Sequence, residues 1–196
     1  MSRDLLFWWE VTQLVGETVF MGDIQDFLDE HNMEHEINFF KTSCDEVLQL
    51  YTDEECITVV GGSSGDKDEW KSNKDVGELV NGVIHEGFYD LAEEVLFHKS
   101  LIRRPSMIWD GHSRGSACVS IICYLTKEVG FGFGTPKAFK DHVEIGSFTN
   151  VINFFDPVCY VVPAFKPVGN LIKVSFLRRP HTRYDRKLLK LRRKHD

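Results

Sequence analysis

The sequence has no Cys-x-x-Cys pair, no apolar run of membrane-spanning length, no internal repeat and no low-complexity linker. Its five cysteines (Cys44, Cys56, Cys118, Cys123 and Cys159) are odd in number, scattered and set mostly in apolar segments. They therefore read as reduced core residues, not as a disulfide framework, and a metal site has no support. The missing stretch of about 20 apolar residues excludes a transmembrane helix. At the N-terminus, "MSRDLLFWWEVTQ" meets Glu10 too soon for a signal-peptide core. The expectation is an intracellular, cytoplasmic protein, with peripheral contact to membranes left open.

What is present suffices for one core. The 196 residues are 42% hydrophobic and 12% aromatic, and the 27% that are charged fit a globular chain. A single domain over residues 1–196 is expected. The net charge of -7 conceals a split: from Lys173 onward there are ten Lys and Arg against two Asp. The preceding 172 residues carry 13 basic against 28 acidic side chains. Such a division suggests a surface partner for the basic end.

Periodicity gives the elements in outline. Residues 3–31 read as one long helix or two shorter ones, stopping at Asn32. "EINFFKT", "EVLQLYT" and "ECITVV" read as strands, followed by a polar loop, "GGSSGDKDEWKSNKDVGELVNG". A helix is expected from Phe88 to His98, then a strand "SMIWD" (Ser106–Asp110), and a helix ending near Gly130. "GFGFGTP", "TNVINFFD" and "NLIKVSFL" read as further strands. Strands alternating with helices predict an α/β sheet whose later part is parallel, because parallel strands need crossover helices.

Between the "SMIWD" strand and its helix lies "GHSRG", Gly111 to Gly115. This is a G-x-S-x-G pattern. A sharp turn from strand into helix projects a serine hydroxyl into a cleft, and flanking glycines are needed because β-carbons there would collide. Ligands of a parallel sheet bind beyond the carboxyl ends of its strands. Ser113 follows one strand, Asp156 follows "VINFF", and His181 falls after "LIKVSFL". A serine, an acid and a histidine, in that order at strand exits, match the chain order of an α/β-hydrolase triad.

From Glu55 to Tyr184 the chain resembles the class 3, fungal-type lipases of the α/β-hydrolase fold. "VIHEGFYD" is similar to the family's H-x-G-F segment, "GHSRG" to G-H-S-L-G, and "FGTP" to F-G-T/S-P. "NFFDPVCYVVP" resembles N-x-x-D-P-V followed by a proline, and "PHTRY" the H-x-x-Y around the family's histidine. The resemblance implies an α/β-hydrolase-type mostly parallel sheet flanked by helices, in a compact minimal version. It implies a serine carboxylester hydrolase cleaving acylglycerols or glycerophospholipids, with no cofactor. Ser113 would be the nucleophile, His181 the base and Asp156 the acid that orients the imidazole. Acyl transfer or thioester cleavage through the same acyl-enzyme is an alternative, as is a silent relative that binds lipid or protein.

The oxyanion hole would take the backbone N–H of Arg114 and a second donor at Ser63, in the loop that starts "GGSSG". Gly61 stands where the family has arginine, and Arg114 where it commonly has leucine. The Arg114 side chain is expected either to meet an anionic substrate group or to reach solvent. The segment after Ser63 occupies the position of the family's lid. With Trp70 its one large apolar residue, weak interfacial activation is expected. Among the eight histidines, His112 reads as packing and His85 as structural; Asp110 is the rival acid. The tail predicts a basic helix over about 183–196, with Tyr184, Leu188 and Leu191 along one face. It would be a solvated helix packed on the sheet, or one drawn to anionic lipid. No nucleic-acid partner is expected.

Overall fold

A computed structural model describes residues 3–15, 19–43, 45–62, 79–176, 181 and 184. Two helices come first, α1 (Leu5–Thr12) and α2 (Met21–Glu30). Asp4 caps α1 by accepting from the Leu6 and Phe7 N–H groups, 3.0 Å each. α1 is apolar nearly all round because it is buried nearly all round, through Leu6, Phe7, Trp8, Trp9 and Val11. α2 buries only the stripe Ile24, Phe27 and Leu28, the i, i+3, i+4 spacing of a half-exposed helix. It gives way at Asn32, which takes a left-handed φ of 50°.

Next comes a meander of β1 (Glu36–Lys41), β2 (Glu46–Tyr51) and β3 (Glu55–Val60). The segment read as a loop ends in a small hairpin, β4 (Leu79–Val80) and β5 (Ile84–His85). Its turn holds Asn81 and Gly82 at φ 53° and 72°. Asn-Gly is a strong hairpin signal, but strands of two residues carry no alternation to accompany it.

α3 (Glu86–Leu96) starts and stops two residues earlier than its apolar spacing suggests. After it come β6 (Ser106–His112), α4 (Arg114–Thr126), β7 (Val129–Phe133), β8 (Phe148–Asn153), a 3₁₀ turn (Pro157–Tyr160) and β9 (Asn170–Val174). β6 continues past Asp110, because Gly111 and His112 still pair with Gly132 and Phe133 of β7. α4 ends before the expected Gly130. Lys127 turns left-handed at φ 64° with its N–H on the Cys123 carbonyl, and Val129 is already paired with Ile108.

The main sheet runs β1-β2-β3-β6-β7-β8-β9. Its first two pairings are antiparallel and the remaining four parallel. The carboxyl ends of β3, β6, β7, β8 and β9 therefore share one edge. α3 and α4 cover one face, over Val60, Trp109 and Phe148. α1 and α2 cover the other, over Ile57, Val59, Phe133 and Val151. α4 lies between the sheet and α3, so every residue from Arg114 to Cys123 is buried. Cys56, Cys118, Cys123 and Cys159 are free and buried. Among the described residues no helix is long and apolar enough to cross a membrane. The expected lid segment, Cys44 and the tail helix over 183–196 fall outside the described residues, Tyr184 apart.

Candidate active site

Ser113 alone separates β6 from α4, with φ 55° and ψ -126°. A non-glycine residue there costs on the order of 1–3 kcal/mol and persists only where its surroundings fix it. Here they do. The Ser113 N–H donates to the Phe133 carbonyl at 2.9 Å, and its own carbonyl accepts from the Ser116 and Ala117 N–H groups. The strand and helix approach so closely that a β-carbon on Gly111 would lie 2.7 Å from the carbonyl carbon of Gly115. The Ser113 hydroxyl does not cap α4. The residue is nearly buried, 9% exposed.

Asp156 lies three residues past β8 and opens the 3₁₀ turn. Its carboxylate is fully buried and doubly held. Oδ1 accepts the Val158 N–H at 2.9 Å, while Oδ2 lies 2.7 Å from His181 Nδ1. A carboxylate only accepts, so the imidazole carries its proton on Nδ1 and presents Nε2 as its basic nitrogen. The Tyr184 hydroxyl donates to the same Oδ2 at 3.3 Å. Tyr184 is itself fully buried, against Trp9, Phe133 and Phe176. Its expected place on one face of the tail helix gives way to a role beneath the acid. The signal was present in "PHTRY", where the tyrosine stands three positions after the histidine.

The pair is brought to the serine turn by two contacts. His112 Nε2 lies 2.8 Å from the His181 carbonyl oxygen, and the two imidazole rings are 4.5 Å apart. Burial pushes the His112 pKa down to about 4, so the ring is neutral near pH 7 and its Nε2–H can donate to that carbonyl. His112 therefore does more than the packing expected of it, although it also packs edge-on against Trp9. The second contact is Gly134, next in the chain to the residue that accepts the Ser113 N–H. A β-carbon there would sit 3.0 Å from His181 Nδ1 and 3.1 Å from Asp156 Oδ2. Its φ of 62° also suits glycine.

Asp110, the rival acid, points elsewhere. Its Oδ1 accepts the Gly111 N–H at 2.9 Å, while Oδ2 is buried without a hydrogen-bond partner. Burial raises its pKa well above 3.8, which favours the protonated form of the carboxyl in the fold. The folded chain thus keeps a proton that the unfolded chain sheds above that value, and stability falls as pH rises through this window. Asp110→Asn has no such dependence. Its melting temperature is expected to gain on the parent's as the pH rises above about 4; a constant gap would show that burial does not raise the Asp110 pKa.

The Arg114 side chain does not reach solvent but turns inward to Asp45. It is 4% exposed, and its guanidinium grips Asp45 from both sides, Nε to Oδ2 at 3.1 Å and Nη2 to Oδ1 at 2.6 Å. No sequence signal pointed to Asp45, which is 69 residues away. Ser63 lies outside the described residues. The loop before it reaches the site: a β-carbon on Gly62 would lie 3.3 Å from Ser113 Cβ. His85 is fully buried and stacks on Phe88 at 4.4 Å, as its structural reading expected.

The described residues thus combine a mostly parallel α/β sheet, a strained serine at one strand exit, and a carboxylate-bound imidazole held against the residue that precedes that serine. The crystal structure of Lip2 lipase from Yarrowia lipolytica is similar in fold, with a TM-score of 0.55 at 10% identity over 85% of this chain and 76% of that one. No protein-family model matches the sequence, and no curated protein matches it.

Proposed function

We propose that the chain is a serine carboxylester hydrolase acting on lipid esters, with Ser113, His181 and Asp156 as its triad. The observation that carries the reading is the ion pair of the buried Asp156 with the partly exposed His181, held against His112, the residue that precedes the strained Ser113. His181 Nε2 takes the Ser113 hydroxyl proton as Oγ attacks the ester carbonyl. The same proton then passes to the departing alkoxide, leaving an acyl-enzyme and an alcohol. Water, deprotonated by His181 in turn, releases the acid and restores the serine. The Asp156 carboxylate holds the imidazolium that forms at each step. The backbone N–H of Arg114, with a donor at Ser63, would receive the oxyanion. Phe154 and Phe155, which immediately precede Asp156, are 63% and 42% exposed and pack edge to face, an apolar surface suited to an acyl group.

The test is chemical labelling. A fluorophosphonate probe is expected to add once, on the tryptic peptide containing Ser113, and preincubation with a hydrolysable acylglycerol or glycerophospholipid should slow the labelling. A label on another residue, or none, would remove the reading.

A further inference from the structure

The buried pair of Arg114 and Asp45 has no part in the chemistry above, yet it begins one residue from the nucleophile. Both side chains are almost inaccessible, 5% and 0% exposed. Two parallel hydrogen bonds between a planar guanidinium and a carboxylate fix orientation as well as distance. Such a pair is a poor source of stability, because desolvating two charges offsets most of what their attraction returns. A well-packed apolar pair would serve a core as well or better. Geometry is the better account of it.

The geometry concerns what lies on each side of the pair. Asp45 ends a tight corner between β1 and β2. The Thr42 N–H and hydroxyl both donate to the Asp45 carbonyl at 2.8 Å, and the Asp45 N–H lies 2.8 Å from Thr42 Oγ1. Glu94 of α3 anchors the same corner through Ser43, accepting from its N–H and hydroxyl at 2.6 Å. The next residue, Glu46, accepts the Gly61 N–H on its carbonyl at 2.9 Å. This corner therefore sets where the chain leaves β3 at Gly61, next to Gly62, where an added β-carbon would lie 3.3 Å from Ser113 Cβ. Arg114 ties the first turn of α4 to that corner.

We propose that Arg114 and Asp45 are positioning residues: their ion pair holds the Arg114 backbone N–H at a fixed spacing from Gly61 and Gly62 at the exit of β3, so that this oxyanion donor stays in register with Ser113. The inference rests on the ester-hydrolase reading and deepens it. An oxyanion develops only in the transition state, so loosening the hole lowers turnover and leaves substrate binding intact. A misplacement of about 1 Å can cost about 100-fold in rate.

The experiment compares Asp45→Asn, Arg114→Lys and the double variant Arg114→Met/Asp45→Leu with the parent. Fluorophosphonate titration counts the competent serines in each preparation. kcat and KM are then measured per titrated site on a soluble p-nitrophenyl ester, alongside the affinity for a trifluoromethyl ketone that forms a tetrahedral adduct. The expected result is a kcat lower by about 10- to 100-fold, a KM within about twofold, and ketone affinity falling in step with kcat. The double variant keeps or raises the melting temperature and still shows the low kcat, which a merely structural role would not produce. Arg114→Lys, a point charge without the fork, falls between. Unchanged kcat per titrated site in folded variants, or a loss confined to KM, overturns the inference while the hydrolase reading stands. A parent that takes no label and cleaves no ester overturns both.

Discussion

Replacing Asp156 with Asn is expected to lower kcat for ester hydrolysis by about 10⁴-fold while the protein stays folded. An asparagine can keep its carbonyl oxygen on the Val158 N–H, which Oδ1 now accepts at 2.9 Å, so the 3₁₀ turn stays capped. Its amide nitrogen would then stand where Oδ2 accepts from His181 Nδ1 at 2.7 Å. An amide N–H donates, so the imidazole can no longer carry its proton on Nδ1 there. Its favoured tautomer becomes Nε2–H, which cannot take a proton from Ser113. The imidazolium also loses the buried negative charge beside it. Together these raise the barrier by about 5 kcal/mol. Steady-state kinetics on a soluble ester measure the loss, with circular dichroism and thermal melting as the control for folding. Asp110→Asn in the same assay should stay within about threefold of the parent. A loss below about 10-fold for Asp156→Asn would assign the acid elsewhere.

The order of helices and strands, the parallel half of the sheet and the serine turn were all legible in the residues. They depend on local spacing: alternation in "ECITVV", the buried run of "SMIWD", glycines placed where backbones must touch. The nearness of Asp156 and His181 was legible for a different reason, because both follow strands whose carboxyl ends must share an edge. Which side chains meet across that edge was not. The partner of Arg114 lies on a corner 69 residues upstream, and nothing in "KTSCDE" distinguishes Asp45 from a solvated turn residue. The hydrogen bond from His112 to the His181 carbonyl joins the end of β6 to the backbone of a residue beyond β9, so side-chain identity carried half of the signal at most. Tyr184 misled by its company: amid Arg and Lys it fits a helical stripe, whereas its ring fills the space between Trp9 and Phe133 and its hydroxyl supports the acid. Local pattern set the frame, and three-dimensional closure decided the partners.

The same closure predicts opposite outcomes for two glycine-to-alanine substitutions in helices. Gly115→Ala adds one carbon at the second residue of α4, and the intrinsic preference of a helix would reward it by up to about 1 kcal/mol. The added carbon, however, runs into the carbonyl oxygens of Val60 and Gly61. Those are backbone atoms of a central strand, tied by β3 pairings on both sides and by the Gly61 hydrogen bond to Glu46, so no side chain can swing away. Either α4 lifts off the sheet, opening the packing around Ser116, Ala117 and Cys118, or the chain leaving β3 shifts. The steric cost dominates, with a net loss of about 3 kcal/mol or more. For a chain of this size the melting temperature should fall by about 6–12 °C. Because the lifted turn carries Ser113, fluorophosphonate labelling should slow with it. Gly22→Ala makes the same change in α2, where no atom lies within 4 Å of the new carbon. There helix preference acts unopposed, and a rise of about 1–4 °C is expected. Melting curves of the two variants side by side decide the matter. A Gly115→Ala protein as stable as the parent would mean that the contact between the β3 exit and α4 is looser than the geometry requires, and that the serine turn is not held by it.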